Sequence, residues 1–389
     1  MPTPRLPIVD ALRGFALFGI LVVNLQYFGH PLGANPLDTA SGPLDELAAW
    51  IGHGLFEAKF YVLFSFLFGF GLAIQIERAA ADPARLRPQY FRRLIGLLVL
   101  GIAHATLFFA GDILVTYALL GFVLWRLRNW EEWRLERFAL GMLGVACVLN
   151  AFIGLSISLT NDAAAESEFQ AAAAQATAAY RGAFMDAVGQ RMRDLQLIYA
   201  FTPLFTAPTA IAMFALGLVA GRSGLFRDPS RLMELARLRW RLVVTIGVLG
   251  NAAYATFGQS TEHTVLSALS FGALPIAGPM LTLMYVRWLW KFVERHPHAL
   301  LTRALEAAGR LSLSNYLGQG VVCAWIFSGY GLGQFGRLGP AALVALAMAI
   351  YAAQLTLSLL WLRVFRMGPM EWLLRAFTYF RLLRLGAAH

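Results

Sequence analysis

Residues 9–29 read VDALRGFALFGILVVNLQYFG, and this stretch sets the class of fold. It is long enough to cross a bilayer core of about 30 Å as one helix, which needs around 20 apolar residues. The whole chain has the same character, since 58% of its 389 residues are hydrophobic, 14% are charged and the mean hydropathy is +0.60. Soluble domains carry about 25% charged residues, so this composition excludes a soluble protein. The sequence predicts an all-α, polytopic membrane protein.

Ten apolar runs are candidate membrane spans: 9–29, 57–77, 93–111, 112–127, 137–159, 197–221, 240–258, 264–289, 312–330 and 340–362. Gly111 and Asp112 leave almost no loop between the third and fourth runs, which predicts a tight helical hairpin. The eighth run contains Pro275, Gly278 and Pro279, a pattern that predicts a kinked or broken helix. We therefore expect a bundle of about ten spans.

Lysine and arginine are distributed unevenly between the two sides of this bundle. Connections on one side, with both termini, hold 27 of the 32 basic residues, and the other side holds five. Cytoplasmic connections of membrane proteins are enriched in Lys and Arg, so both termini are predicted to be cytoplasmic. The net charge of +10 follows from this topology, and no nucleic-acid partner is expected. The expected location is the bacterial cytoplasmic, or inner, membrane, with membrane lipids as partners.

The predicted organisation has three parts. Residues 1–160 form an N-terminal bundle of five spans, 161–196 an outer-side loop or peripheral helix, and 197–389 a C-terminal bundle. The stretch from Glu371 to Leu385 has apolar residues at helical spacing interleaved with arginines, which predicts an amphipathic helix on the inner leaflet. Both cysteines lie inside apolar runs, so neither a disulfide nor a metal site is indicated.

Charged or polar side chains inside a span are candidates for function, because such groups are costly in hydrocarbon unless they are paired or wetted. Arg13 and Asn24 are eleven residues apart, which puts them on one stripe of the first helix about 16 Å from each other. This stripe either lines a polar site or consists of an interfacial Asp10–Arg13 pair and a packing asparagine.

His104 is the histidine that lies deep in a predicted span, and imidazole suits proton transfer near neutral pH. A structural histidine bonded to a backbone carbonyl is the alternative. Asp112 lies about 12 Å further along a continuous helix, so it reaches His104 only if the chain turns at Gly111. Otherwise it caps the fourth span. Arg92 and Arg93 belong to a basic cluster that is either a topology signal or a site for the phosphates of a nucleotide-like donor.

Five ordered blocks resemble the YeiB family of bacterial membrane proteins: Asp10–Asn24, Lys59–Gly69, His104–Leu114, Gly309–Gln319 and Gly368–Arg375. The first block is also similar, more remotely, to the opening of the transmembrane acyltransferase superfamily, which includes the acyltransferase-3 proteins and heparan glucosaminide acetyltransferase. That resemblance implies transfer of an acyl group from cytoplasmic acyl-CoA to a sugar or similar acceptor on the far side. Acyltransferase-3 proteins have a histidine at the position of Asn24, so another base is required here. His104 is the first candidate, and His30 and His53 are lesser ones.

The resulting hypothesis is transfer of an acyl group, acetyl in the first instance, to the hydroxyl or amine of a small-molecule or glycan acceptor. His104 would act as base or acyl carrier, Asp112 would orient it, and Arg13 and Asn24 would supply hydrogen-bond donors. The acyl-CoA donor would be held by four side chains: Arg92, Arg93, Lys59 and Asn315. No metal is expected. A transporter or lipid flippase without acyl transfer is the rival hypothesis, and a structural or regulatory membrane partner is a third. The sequence leaves a homodimer open.

Overall fold

The computed structural model describes residues 6–34, 39–80, 82–159, 163–226, 229–258, 264–382 and 385–386. The regular elements in these ranges are fifteen α-helices and one short π-helical turn. In chain order the helices are α1 (Pro7–Gly29), α2 (Pro43–Ile51), α3 (Phe60–Arg78), α4 (Pro83–Leu107), α5 (Leu114–Leu127), α6 (Glu132–Leu159), α7 (Ala163–Tyr180), α8 (Phe184–Phe205), α9 (Ala207–Arg222), α10 (Pro229–Phe257), α11 (Thr264–Arg295), α12 (Leu300–Arg310), α13 (Ser312–Phe327), α14 (Pro340–Val364) and α15 (Pro369–Tyr379). The all-α prediction is confirmed for this part of the chain.

Six stretches are long and apolar enough to cross a membrane: Pro7–Gly29, Pro43–Arg78, Pro83–Leu107, Glu132–Ser156, Thr264–Arg295 and Pro340–Val364. The pair α8 and α9, bent by 55° at its break, makes a seventh if it forms one span. All ten predicted runs fall on helices, but α5 has 14 residues and α13 has 16, fewer than the roughly 20 that a full crossing needs. The chain is therefore a multi-pass membrane protein with six or seven candidate spans among the described residues.

The second candidate span begins earlier than the sequence pattern predicts. α2 continues into a π-helical turn, Gly52–Phe56, and α3 starts at Phe60. Between them, Ala58 has φ +62, a left-handed conformation that is uncommon for alanine. Such turns and backbone outliers concentrate at functional sites.

The prolines of the predicted eighth span do not break it. α11 runs continuously from Thr264 to Arg295 through Pro275 and Pro279, so the expected break is wrong. The neighbouring α10 packs along α11, and Asn251 Nδ2 donates to the Ala277 carbonyl between the two prolines at 2.8 Å. Neighbouring helices commonly satisfy backbone groups near proline in this way. Non-helical backbone occurs instead in α10, at Arg239.

Glycines allow several helices to cross at backbone contact. A Cβ atom on Gly14 would overlap the carbonyl of Leu305, which brings α1 directly against α12. Gly69, within the LFGFG sequence of α3, meets the carbonyl of Phe214 on α9 in the same manner. The glycine pattern of α3 therefore serves close helix packing, as small residues do at membrane helix interfaces. α1 also packs on α13 and α14, so both ends of the chain contribute to one core.

Shorter helices cover the two ends of the bundle. The predicted outer segment from residue 163 onward is helical, formed by α7 and the first part of α8, and residues 161–162 lie outside the described ranges. The predicted amphipathic tail helix is α15, which ends at Tyr379 and packs against α4. Its Glu371 accepts hydrogen bonds from the backbone N–H of Leu313 and Ser314, at 2.7 and 3.1 Å. A carboxylate from a distant part of the chain thus caps the N-terminus of α13.

Candidate functional site

His104 and Asp112 form a buried pair at the turn between α4 and α5. The chain leaves α4 at Leu107 and reverses, so that Asp112 returns to the last turns of the helix. His104 Nδ1 lies 2.8 Å from Asp112 Oδ2, and the side chains are 3% and 0% exposed. The Tyr316 hydroxyl, on α13, donates to the same oxygen at 3.1 Å. The predicted hairpin therefore brings Asp112 into contact with His104.

Asp112 also caps α5, so both of its predicted roles are present at once. Its Oδ1 accepts hydrogen bonds from the backbone N–H of Leu114 and Val115, at 2.8 and 3.2 Å. Tyr316 accepts a hydrogen bond from the Ile113 N–H at 3.2 Å and so donates its own hydrogen to Asp112. Two backbone N–H groups and the Tyr316 hydroxyl donate to this side chain, so it fits as a carboxylate, and this arrangement assigns the hydrogen shared with His104 to Nδ1.

The other ring nitrogen, His104 Nε2, is buried and has no hydrogen-bond partner among the described residues. It faces α13 at Gly320, where a Cβ atom would overlap it. The rings of Tyr316, Phe108 and Phe109 surround the imidazole at centroid distances of 5.2, 6.3 and 6.4 Å. Leaving a buried polar atom unpaired costs about 1–3 kcal/mol. His104 is thus held in one orientation by Asp112, without the backbone carbonyl partner that a purely structural histidine would have.

The predicted polar stripe of α1 does not contact this pair. Arg13 Nη1 lies 3.5 Å from Asp10 Oδ1, and the Arg13 side chain is 32% exposed. Its other terminal nitrogen lies beside Gly71 of α3. Asn24 is half-buried and forms no hydrogen bond with the described residues. Among the described residues, neither Arg13 nor Asn24 forms a hydrogen bond or ion pair with His104 or Asp112. No direct contact therefore supports their predicted role as hydrogen-bond donors at the reaction centre.

The two arginines predicted to bind donor phosphates point to different neighbours. The Arg92 guanidinium stacks on the ring of Phe380, 4.0 Å from its centroid, and Arg93 lies 5.4 Å from that of Phe68. Arg93 also interacts electrostatically with Arg13 and with Arg375 of α15. Arg13, Arg93 and Arg375, from three helices, thus lie close enough for their like charges to repel one another, and Arg78 acts on Arg13 in the same way; the first three are called the basic group below. Arg375 was not among the residues singled out from the sequence, because only the packing of α15 on α4 brings it there.

Lys59 lies away from this basic group, in a second polar cluster. Phe68, which contacts Arg93, is nine residues further along α3, or about 14 Å. Lys59 is fully buried, and its Nζ donates to the His53 carbonyl at 2.9 Å. His53 Nδ1 lies 2.6 Å from Glu57 Oε2. The expectation that Lys59 joins the arginines at a donor site is not met, because the π-helical turn folds it back toward His53.

Asn315 is occupied by structural hydrogen bonds. Its Nδ2 donates to the Ala308 carbonyl at 3.2 Å and to Ser358 Oγ at 3.0 Å, which ties α13 to α12 and α14. Both amide hydrogens are used in this way. Within the Gly309–Gln319 block, the residue that contacts the His104–Asp112 pair is the next one, Tyr316. Sequence reasoning missed it because a tyrosine in an apolar span gives no signal that its hydroxyl has a polar partner.

Within the described residues, no group of three or more His, Cys, Asp or Glu side chains is arranged to hold a metal ion. The candidate site thus consists of the pair His104 and Asp112 with Tyr316, the basic group of Arg13, Arg93 and Arg375, and the cluster around Lys59. An imidazole next to a carboxylate has the chemistry to transfer a proton, and guanidinium groups have the chemistry to bind an anion.

Comparison with known proteins identifies relatives along the whole chain. A family model described as "Protein of unknown function (DUF418)" matches residues 220–381. The uncharacterized protein YxaH of Bacillus subtilis is 35% identical, with 96% of this chain and 94% of the relative aligned. The uncharacterized protein YeiB of Escherichia coli is 28% identical, with 95% of each chain aligned. No solved structure matches. The chain therefore belongs to the YeiB-like family of DUF418 membrane proteins, as its five sequence blocks predicted.

Proposed function

We propose that the protein is an integral membrane acyltransferase that uses cytoplasmic acyl-CoA, with acetyl as the transferred group. The observation that carries this proposal is the His104–Asp112 pair, in which Nδ1 is bound to a carboxylate and Nε2 has no partner in the part of the chain that the structure describes. An imidazole oriented through Nδ1 presents Nε2 as an acceptor for a proton. The remote resemblance of the first sequence block to transmembrane acyltransferases agrees with this chemistry.

The proposed reaction is attack of an acceptor hydroxyl or amine on the thioester carbonyl. His104 Nε2 takes the proton of the acceptor as the new C–O or C–N bond forms, and Asp112 stabilises the resulting imidazolium. The C–S bond then breaks, and the proton passes from the imidazole to the departing thiolate. The Tyr316 hydroxyl holds the carboxylate from the opposite side, which keeps the ring fixed while its charge changes.

The donor's phosphates are proposed to bind the basic group of Arg13, Arg93 and Arg375, with Arg92 beside it on Phe380. Guanidinium groups match phosphate oxygens in geometry and charge. Asp10 is the carboxylate that pairs with Arg13, so the group keeps an excess of positive charge. Entry from the cytoplasmic face follows from the proposed topology of ten spans with both termini inside, which rests on the 27-to-5 distribution of basic residues.

The direct test measures thiol release from acetyl-CoA by the purified protein in lipid nanodiscs, with glucosamine and glycerol as acceptors. His104→Gln should lower the rate by about 10²- to 10⁴-fold, the usual contribution of a general base. His298→Gln, at an exposed position after α11, is the matched control and should be without effect. A His104→Gln protein that works at the wild-type rate would refute the proposal.

Ligand-induced thermal stabilisation separates this proposal from its rival. A ligand that binds only the folded state stabilises it by RT ln(1 + c/Kd), where c is the free ligand concentration, and so raises the unfolding temperature. Acetyl-CoA and CoA should both stabilise the wild-type protein, and replacing Arg93 by Gln should weaken the effect. Stabilisation by a sugar or lipid but by neither CoA species would favour a transporter or flippase instead.

A further inference from the structure

The reactive nitrogen of His104 is sealed between two helices. Nε2 lies in the contact between α4 and α13, against the backbone at Gly320, with no accessible surface and no hydrogen-bond partner within the described ranges. No acceptor molecule can reach it in this arrangement. Access to the ring therefore requires that α4 and α13 separate. Contacts that hold the ends of these two helices together control this separation.

One side chain bridges the ends of these two helices. Arg191, on α8, is 2% exposed. Its Nη1 donates to the carbonyl of Leu107, the last residue of α4, at 2.9 Å. Its Nη2 donates to the hydroxyl of Ser328, directly after α13, at 3.2 Å, with the Tyr330 hydroxyl at 3.4 Å. The guanidinium thus spans the gap at the end where His104 lies.

The electrostatics of the two helix ends explain why a buried cation is stable there. The C-terminus of a helix exposes unpaired carbonyl groups and the negative end of the helix dipole. Arg191 meets two such ends together. No carboxylate lies within 4 Å of it in the described ranges, although the Tyr180 ring lies 5.6 Å away. Its stabilisation therefore depends on both ends being close, and it is lost when they part.

Further contacts attach the segment that carries Arg191 to the same loop. The N–H of Gly329 donates to the Tyr180 carbonyl at 2.8 Å, and Arg181 donates twice to the Phe335 carbonyl, at 2.9 and 2.7 Å. The Tyr180 hydroxyl donates to Asp194 at 2.5 Å. Burial, together with that carboxylate, raises the pKa of Tyr180, so the hydroxyl remains a donor at physiological pH. α7, α8 and the loop after α13 form one cover over this end of the bundle.

We propose that Arg191 is a positioning residue that holds α4 and α13 together over His104. Release of its contacts opens the path by which an acceptor on the α7–α8 side reaches Nε2. That the molecule reaching Nε2 is an acyl acceptor rests on the proposed function. That Arg191 holds the two helices closed over His104 does not depend on it.

The test measures access to the imidazole rather than catalysis. Diethyl pyrocarbonate acylates accessible histidine rings, and mass spectrometry reports the rate at each histidine of the full-length protein in nanodiscs. His104 should be protected in the wild type, while His296 and His298, both exposed, react quickly and serve as internal standards. Arg191→Gln removes the charge at both helix ends and should raise the rate at His104 about tenfold or more, because local opening becomes less costly.

Arg193→Gln is the matched control. Arg193 lies two residues along the same helix, is exposed, and donates only to Gln190 among the described residues. It should leave His104 protected. Arg191→Lys, which keeps the charge, should restore part of the protection. Equal protection of His104 in the Arg191→Gln and Arg193→Gln proteins would overturn the proposal.

Two further outcomes keep the result interpretable. If Arg191→Gln does not fold, Ser328→Ala removes one of its acceptors and should still raise the His104 rate, and no increase would overturn the proposal. If His104 becomes reactive in Arg191→Gln but no variant consumes acetyl-CoA, the closure by Arg191 stands and the acyltransferase proposal fails.

Discussion

Gly320→Ala probes the contact between His104 and α13 with one methyl group. A Cβ atom at this position would overlap His104 Nε2, while the imidazole is held from its other side by Asp112. The ring cannot move away without losing that hydrogen bond, and α13 cannot move away without disturbing Tyr316, which binds the same carboxylate. The added methyl group must therefore strain the candidate site itself.

The expected cost follows from three contributions. Overpacking a tight contact by one methyl group costs about 1–3 kcal/mol. Displacing the imidazole from Asp112 removes a hydrogen bond to a charged group, worth about 1.5–3 kcal/mol. Alanine is favoured over glycine inside a helix by about 1 kcal/mol, which offsets part of this loss. We expect Gly320→Ala to lower the free energy of unfolding by about 2–5 kcal/mol.

Gly318→Ala is the control for this measurement. It lies on the same helix, and no atom lies within 4 Å of the Cβ that it would gain. It should be neutral or should stabilise the protein by up to about 1 kcal/mol through helix propensity. Reversible unfolding in mixed micelles of a mild detergent and dodecyl sulfate, followed by circular dichroism, compares the two proteins. Equal stability of the two variants would refute the described packing of His104 against α13.

The remaining predictions use the same unfolding assay. Glu371→Gln should cost about 1 kcal/mol, because the carboxylate caps α13, and wild-type stability would contradict that role. Tyr316→Phe should cost about 1–3 kcal/mol, since it removes a donor to Asp112 and leaves the partly buried backbone N–H of Ile113 without an acceptor. A change near zero would argue against the shared carboxylate. Gly69→Ala should cost about 1–3 kcal/mol, because its methyl group would overlap the backbone of α9. Gly71→Ala should be tolerated, because the atom near its new methyl group is a guanidinium nitrogen of Arg13, 4.0 Å away. Similar losses for both glycine variants would contradict the close crossing of α3 and α9.

Sequence reasoning singled out His104 and Asp112 but left open whether they meet. Eight residues separate His104 from Asp112, and a helix of that length would hold them about 12 Å apart. Gly111, directly before Asp112, indicated a turn. Only the folded chain determines whether the Asp112 carboxylate contacts the His104 imidazole. Tyr316 carried no comparable signal, because its partner is 204 residues away. The sequence also did not show that a local backbone turn directs Lys59 to the His53 carbonyl, or that Asn315 binds the neighbouring helices.

The amino-acid sequence by itself determined the class of this protein and the approximate positions of its long apolar helices. Hydrophobic length and charge distribution are local properties, and the bilayer allows few other ways to satisfy the backbone of an apolar segment. The tertiary structure alone decided which polar groups meet inside the bundle. Arg191 joins α4 to the end of α13 through hydrogen bonds between residues far apart in the chain. The packing of α15 on α4 brings the charge of Arg375 within electrostatic range of Arg13 and Arg93. Such contacts depend on how side chains of distant helices interlock, which no single segment encodes.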